Sequence, residues 1–112
     1  MTAADSSLPI ACDLHAFSAR ERERHASLLR GLSAKIQHRR ELSDGFAFRF
    51  AAEGETIAEL AEWIGLERIC CPFLRFSVEV EANAGPVWLR LTGSAQVKAF
   101  VGSTFNTQRQ SP

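Results

Sequence analysis

The residues with the clearest chemical potential are two adjacent cysteines, Cys70 and Cys71, in the segment GLERICCPFLRFSVEV. Glu67 precedes them by three and four positions, a spacing that puts its carboxylate on the same helix face as the thiols. The third cysteine of the chain is Cys12, in the segment ACDLHAF. Thiolates suit soft metal ions, whereas carboxylate and imidazole suit zinc-like ions. The sequence therefore predicts a metal site formed by Cys12, Cys70 and Cys71, with Glu67 as a ligand or a supporting group, for mercury, zinc or arsenite.

Two other interpretations of the cysteine pair remain open. Free cysteine commonly packs as a small hydrophobic residue, which favours a non-catalytic interaction domain with structural cysteines. Neighbouring helical residues diverge by about 100° around the axis, so one thiol can face the core while the other faces a groove or the helix end. A thiol redox or sulfur-transfer enzyme is the third interpretation, and it ranks last because the negative end of a helix disfavours thiolates. The protein is therefore expected to bind rather than to catalyse.

The histidines are weaker signals than the cysteines. His15, His25 and His38 each stand alone, and a single histidine is more often a satisfied polar residue than a ligand. Arg40 is expected to lean toward the buried side of its strand, where it would need a carboxylate partner such as Glu67. The sequence shows no Ser-His-Asp pattern and no phosphate-binding loop.

Length and charge limit the classes of protein to consider. A chain of 112 residues is long enough for one domain, and 13 basic residues balance 13 acidic ones. This balance gives no electrostatic reason to expect nucleic acid or membrane partners. We expect a cytoplasmic protein whose three cysteines stay reduced, without a structural disulfide. Polar segments at 1–10 and 106–112 are predicted to be disordered tails around a single domain at 11–105.

The first half of the domain reads as a helix followed by a hairpin. Ser18 and Glu21 match the capping box that starts a helix. Phe46, Phe48 and Phe50 alternate as they would on one face of a strand. We prefer a three-residue loop ending at a left-handed Gly45, which sets Phe46 opposite Leu42 and turns His38 and Arg40 inward. A two-residue Asp44-Gly45 loop, with Phe48 opposite Glu41, is the alternative.

The second half repeats this order and adds a closing helix. Thr56 and Glu59 predict the start of a helix whose inner stripe is made of Ile57, Leu60, Ala61 and Ile64, continued by Glu67 and Cys71, with Trp63 beside it. Pro72 should end that helix at the cysteine pair. Two alternating strands follow, and Ser94 can cap a final helix. The order α-ββ-α-ββ-α predicts an α+β fold: a four-stranded, mainly antiparallel sheet with helices packed on one face. Trp88, on the other face, suggests a homodimer interface, and a tryptophan partly shielded within its own chain is the alternative.

The segments ERICCPFLRFSVEV, GPVWLRLTG and VKAF carry a family resemblance. The chain resembles, over about residues 10–105, a small uncharacterised bacterial family with an E-x-x-C-C-P-F segment. Members occur alone or near mercury-responsive MerR-type regulators and other heavy-metal resistance proteins. The resemblance implies that Cys12, Glu67, Cys70 and Cys71 belong to the family pattern. It suggests a setting in heavy-metal resistance and carries no characterised activity.

Overall fold

The computed structural model describes residues 13–105 and has the predicted order of elements. A short 3-10 helix, Leu14–Ala16, precedes the first long helix. The elements are α1 (Ala19–Ala34), β1 (Ile36–Leu42), β2 (Gly45–Phe50), α2 (Gly54–Cys70), β3 (Arg75–Val80), β4 (Val87–Thr92) and α3 (Ala95–Thr104). The α+β prediction is confirmed. The predicted tails at 1–10 and 106–112 lie outside the described residues, and no helix within 13–105 is long and apolar enough to cross a bilayer.

The four strands form one open sheet in the order β1-β2-β4-β3, with every neighbouring pair antiparallel. The three phenylalanines of β2 and the leucines of β4 form the inner face, as their alternation predicts. All three helices contribute to the core on this face, through buried residues such as Leu32, Leu60 and Val101. The core therefore lies between one layer of helices and one face of the sheet.

Two predicted helix starts are confirmed in atomic detail. Ser18 accepts a hydrogen bond from the backbone N–H of Glu21, and Glu21 accepts one from the N–H of Ser18. Ser94 accepts from the N–H of Val97 at the start of α3. Each side chain satisfies a backbone donor that the first helical turn leaves unpaired.

The predicted hairpin registers are both wrong. Leu42 pairs with Gly45, so the loop has two residues, Ser43 and Asp44, and Arg39 and Glu41 share the inner face with the phenylalanines. Charged residues are tolerated there because α3 supplies partners and because long stems pack on apolar surface. The Arg39 guanidinium lies 4.2 Å from the Phe46 ring centroid, and Lys98 pairs with Glu41 at 2.8 Å.

Gly45 is required for close packing and not for a left-handed backbone. Among the described residues no glycine has a positive φ, and a Cβ at Gly45 would collide with the carbonyl of Leu91 on β4. The expectation of a left-handed Gly45 is therefore wrong. Its importance comes from the adjacent strand, which local sequence does not reveal.

The predicted capping box of α2 is wrong, and its predicted inner stripe is right only in part. Leu60, Glu67 and Cys71 are buried as predicted, and Ile57 and Ile64 pack against the core. The helix begins at Gly54, two residues before the predicted cap, and the Thr56 hydroxyl donates to the Glu53 carboxylate. Its buried stripe is Thr56, Leu60, Trp63, Glu67 and Cys70. Trp63 is thus central to the stripe, and Ala61 is exposed. The whole helix is rotated relative to the prediction because the large indole takes the core position.

The outer sheet face is covered by polar side chains. Trp88 is only 7% exposed, since Arg40 lies 4.4 Å above its ring and the His38 ring contacts it edge-on at 6.3 Å. The inward orientation predicted for His38 and Arg40 is therefore wrong. Trp88 is therefore shielded by side chains of its own chain and does not argue for a homodimer interface on this face. A dimer itself stays a prediction.

Candidate metal centre

Three potential metal ligands converge where α1 crosses α2. His25 lies on the stripe of α1 that buries Leu28 and Leu32, at helical spacings of three and four residues. Glu67 and Cys70 occupy the last turns of the buried stripe of α2. The two helices therefore bring together residues separated by more than forty positions in the chain.

The donor atoms of these residues are close enough to share one ion. Nε2 of His25 lies 2.6 Å from Oε1 of Glu67, and Sγ of Cys70 lies 3.8 Å from the same oxygen. One ligand atom from each of His25, Glu67 and Cys70 falls within 4.8 Å of the others. Nitrogen, oxygen and sulfur are thus offered together, the set of donors that zinc accepts in proteins.

The cluster is closed off from solvent. Glu67 is 1% exposed, His25 is 7% exposed, and the Phe17 ring lies 5.2 Å from the His25 ring. A buried polar group costs free energy unless a partner satisfies it. The short hydrogen bond between His25 and Glu67 provides that partner, and it requires one proton between the two groups.

The helix-to-strand corner at the cysteine pair is confirmed. The α2 helix ends at Cys70, Cys71 caps it, and Pro72 follows, as predicted. The backbone N–H of Asp13 donates to the Cys70 carbonyl at 2.8 Å, so the chain before α1 crosses this corner. Both cysteines are 0% exposed, so neither thiol faces an open groove, and Cys71 lies at the helix end.

The two sulfurs differ in chemical state. Cys70 is a free thiol, whereas Cys71 is disulfide-bonded, which contradicts the expectation of reduced cysteines without a disulfide. Their sulfurs are 3.5 Å apart. Cys12 lies outside the described residues, so its part in the site stays a prediction. The free thiol that the structure places beside Glu67 is that of Cys70.

Burial dominates the electrostatics of the site. It raises the pKa of Glu67, an effect that the hydrogen bond from His25 partly offsets. Burial, with the neighbouring Glu67 charge, raises the pKa of Cys70 to about 12. The thiol therefore stays protonated at neutral pH in the ion-free protein, and the charge of a bound cation would be needed to form the thiolate.

His25 is the member of this cluster that the sequence-based prediction missed. Its signal was present, because His25 precedes Leu28 and Leu32 by three and seven residues and so shares their helix face. The charged residues around it, in the run ARERERH, are typical of a solvent-exposed part of a helix and concealed this signal. Arg40 is not the partner of Glu67; His25 is.

Comparison with models of protein families, with curated proteins and with solved structures finds no match to this chain. The resemblance to a family with an E-x-x-C-C-P-F segment therefore stays a prediction.

Removing the Glu67 carboxylate should destabilise the protein even without a metal. Glu67→Ala leaves the buried His25 imidazole without its acceptor, and we expect the free energy of unfolding to fall by about 1–3 kcal/mol. Glu67→Gln, which keeps a hydrogen-bonding group, should cost less. Urea unfolding in the presence of a chelator measures both. The exposed Glu23→Ala is the control, and an equal loss in Glu23→Ala would contradict the structural importance of the pair.

Proposed function

We propose that this protein binds a borderline or soft metal ion through Cys70, His25 and Glu67, with the sulfur of Cys71 beside them. The observation that carries the proposal is the convergence of three different donor atoms within 4.8 Å inside the core. Burying three such groups together is costly for folding alone. One cation would bond to all three and balance the negative charge that Glu67 and a Cys70 thiolate would carry.

The separations of the Glu67 oxygen from the His25 nitrogen and from the Cys70 sulfur are close to those of a tetrahedral site. Zinc bonds of about 2.0–2.3 Å separate neighbouring ligand atoms by about 3.3–3.8 Å. The Cys70–Glu67 separation of 3.8 Å already meets this value. The His25–Glu67 separation of 2.6 Å would open by less than about 1 Å as the ion replaces the shared proton.

The donor set favours zinc over the softer ions among the candidates. A single free thiol with imidazole and carboxylate suits Zn(II), whereas mercury and arsenite prefer two or three thiolates. Binding of the softer ions would require reduction of Cys71, and Cys12 is the proposed third thiolate. The observation that supports binding of a softer ion by several thiolates is the 3.5 Å separation of the Cys70 and Cys71 sulfurs.

Among sequestration, delivery and sensing, burial favours a role in which the ion is retained. His25 is only 7% exposed and the Phe17 ring beside it is 5% exposed, so an ion would reach the site only as side chains move. A bound ion would also link α1 to α2 through His25 and Glu67, so occupancy and helix packing would be coupled. Sequestration and sensing in heavy-metal resistance therefore come before rapid delivery as proposed roles.

The proposal is tested by titrating reduced, chelator-treated protein with Zn(II) in competition with a chromophoric chelator. We expect one ion per chain with an affinity tighter than micromolar. Cys70→Ala and His25→Gln should each weaken Zn(II) binding by about 100-fold or more, since each removes a bond to the ion. The matched control is His38→Gln, which changes an exposed histidine in the same way and should leave the affinity unchanged.

Parallel titrations with Hg(II) and arsenite show which class of ion the site prefers. Hg(II) binds any accessible thiol, so only binding that depends on His25 or Glu67 as well as Cys70 supports this site. Zn(II) binding weaker than micromolar, or binding that is unchanged in both Cys70→Ala and His25→Gln, would overturn the proposal.

A non-catalytic interaction domain with structural cysteines is the second candidate. Complete burial of both Cys70 and Cys71 favours it, because cysteine packs well as a small apolar residue. Slow labelling of Cys70 in the native protein, combined with no Zn(II) binding, would support this candidate over a metal site.

A thiol redox or sulfur-transfer enzyme ranks third. Adjacent sulfurs 3.5 Å apart suit thiol exchange, but the reactive species is the thiolate. Because the pKa of Cys70 is raised to about 12, very little thiolate is present at neutral pH. A thiol pKa well below about 8.5, measured in the native protein, would reverse this ranking.

A further inference from the structure

The β3 strand forms one edge of the sheet and is built regularly along its whole length. It pairs with β4 residue for residue, from Arg75 with Thr92 to Val80 with Val87. The opposite edge, β1, has an irregular register between Ile36 and His38, a feature that discourages further pairing. Within residues 13–105, β3 is therefore the edge better suited to accept another strand.

One hydrogen bond shows which residues of β3 direct their backbone N–H and C=O groups toward the open edge of the sheet. The N–H of Glu81 donates to the carbonyl of Pro86, so Glu81 points its backbone groups toward β4. Backbone direction alternates along an antiparallel strand. Phe76, Val78 and Val80 therefore direct their N–H and C=O groups away from β4, toward the open edge.

The side chains at this edge extend the apolar face of the sheet. Val78 is 43% exposed and Val80 is 52% exposed, large values for valines that share a face with the buried Leu89 and Val87. Phe76 of the same strand packs against Trp63 of α2, whereas Val78 and Val80 remain exposed. An added strand would cover apolar surface as well as satisfy backbone groups.

We propose that β3 pairs with β3 of a second copy, antiparallel about a two-fold axis, with Val78 opposite the partner's Val78. Phe76 then faces the partner's Val80, and the three outward-directed residues of each strand form about six backbone hydrogen bonds. The two sheets become one continuous sheet of eight strands. This edge is distinct from the outer sheet face around Trp88, and it does not depend on the metal site.

Charge complementarity supports a second copy as the occupant, and the number of paired backbone groups selects this register. The pairing sets Arg75 opposite the partner's Glu81 and Ser77 opposite the partner's Glu79, and the two-fold axis repeats each contact. Glu79 keeps its own ion pair with Arg90 at 3.2 Å. A pairing centred on Ser77 would use the outward-directed groups of Phe76 and Val78 but leave those of Val80 unpaired. The formal net charge of zero adds no repulsion between copies.

Sedimentation equilibrium across about two decades of micromolar concentration tests the proposal. The wild-type protein should approach twice its 12.4 kDa chain mass at the upper concentrations. Val78→Lys places two ammonium groups against each other at the axis, and we expect the dimer dissociation constant to rise by about tenfold or more. Leu14→Lys is the control for the added charge, because Leu14 is likewise 44% exposed and lies in the 3-10 helix, outside the sheet.

A charge exchange tests the register. Arg75→Glu should weaken the dimer, and adding Glu81→Arg in the same chain should restore it to within about threefold of the wild type. Hydrogen exchange at the Val78 amide should slow as concentration rises. A monomeric wild type, equal effects of Val78→Lys and Leu14→Lys, no restoration by the exchange, or Val78 protection independent of concentration would each overturn the proposal.

Discussion

Replacing Trp63 with alanine is expected to lower the free energy of unfolding by about 3–5 kcal/mol. Trp63 is 2% exposed and packs edge-on against Phe76 and Phe105, with ring centroids 5.9 Å away in each case. Its removal would leave a large cavity between α2 and the sheet. Because small domains have about 5–15 kcal/mol of stability in total, this one change should remove much of it.

Trp63→Phe provides the matched comparison for this prediction. The indole Nε1 is buried without a hydrogen-bond partner among residues 13–105, so phenylalanine loses volume but also removes an unsatisfied donor. We expect a cost below about 1.5 kcal/mol. Urea unfolding followed by the fluorescence of Trp88 measures both variants, since Trp88 remains in each. A loss below about 1 kcal/mol in Trp63→Ala would contradict the central position of Trp63 in the core.

Raising the pH above 9 should destabilise the ion-free protein through Cys70. Burial raises the pKa of this thiol from an ordinary value of 9.0 to about 12. The folded state therefore holds the proton more tightly than the unfolded state. The stabilising effect is fully present below about pH 9 and is lost as the pH rises toward about 12. The difference of about 3 in pKa corresponds to about 4 kcal/mol, of which about 2 kcal/mol should be lost by about pH 10.5.

The comparison of wild type with Cys70→Ala isolates this effect from the titration of other groups. Unfolding at a series of pH values, with a chelator present, should show a steeper alkaline loss in the wild type than in Cys70→Ala. The ultraviolet absorbance of the thiolate gives a second measurement on the native protein. Appearance of the Cys70 thiolate near pH 9 in folded protein, or parallel pH dependences for the two proteins, would contradict the prediction.

Both expected results depend on residues of the stripe of α2 that faces the core. Trp63 fills the centre of that stripe, and Glu67 and Cys70 complete it one and two turns later. Groups placed there lose contact with water, which raises the pKa values of the carboxyl and the thiol. The same burial that makes Cys70 a poor nucleophile makes the cluster suitable for holding a cation.

Local sequence was sufficient for the order of elements because its signals act within a few residues. Ser18 with Glu21 and Ser94 satisfy backbone donors of their own helices, and Pro72 excludes helical geometry at the residue before it. Alternation of phenylalanines marks β2 because side chains on a strand repeat every two residues. These signals also placed Glu67 and the cysteine pair at the end of a helix.

Only the tertiary structure decided which surfaces meet. Trp63 rather than Ala61 faces the core because the large ring gains more from burial, and this rotates α2. The hairpin register depends on Lys98 and Gly102 of α3, which offer partners to Glu41 and Arg39 on the inner face. None of these partners lies near the hairpin in sequence, so local patterns could not select the register.

At the candidate metal site, too, local sequence placed some of the residues and tertiary packing placed the others. By itself, the sequence determined that Glu67, Cys70 and Cys71 lie together at a helix end, because three or four residues span one helical turn. The tertiary structure brought His25 to Glu67 across 42 positions and buried both cysteines beneath the chain that crosses at Asp13. That contact required two helices to pack against each other. The contact between His25 and Glu67 depends on how the faces of α1 and α2 pack against each other, so no short stretch of sequence predicts it.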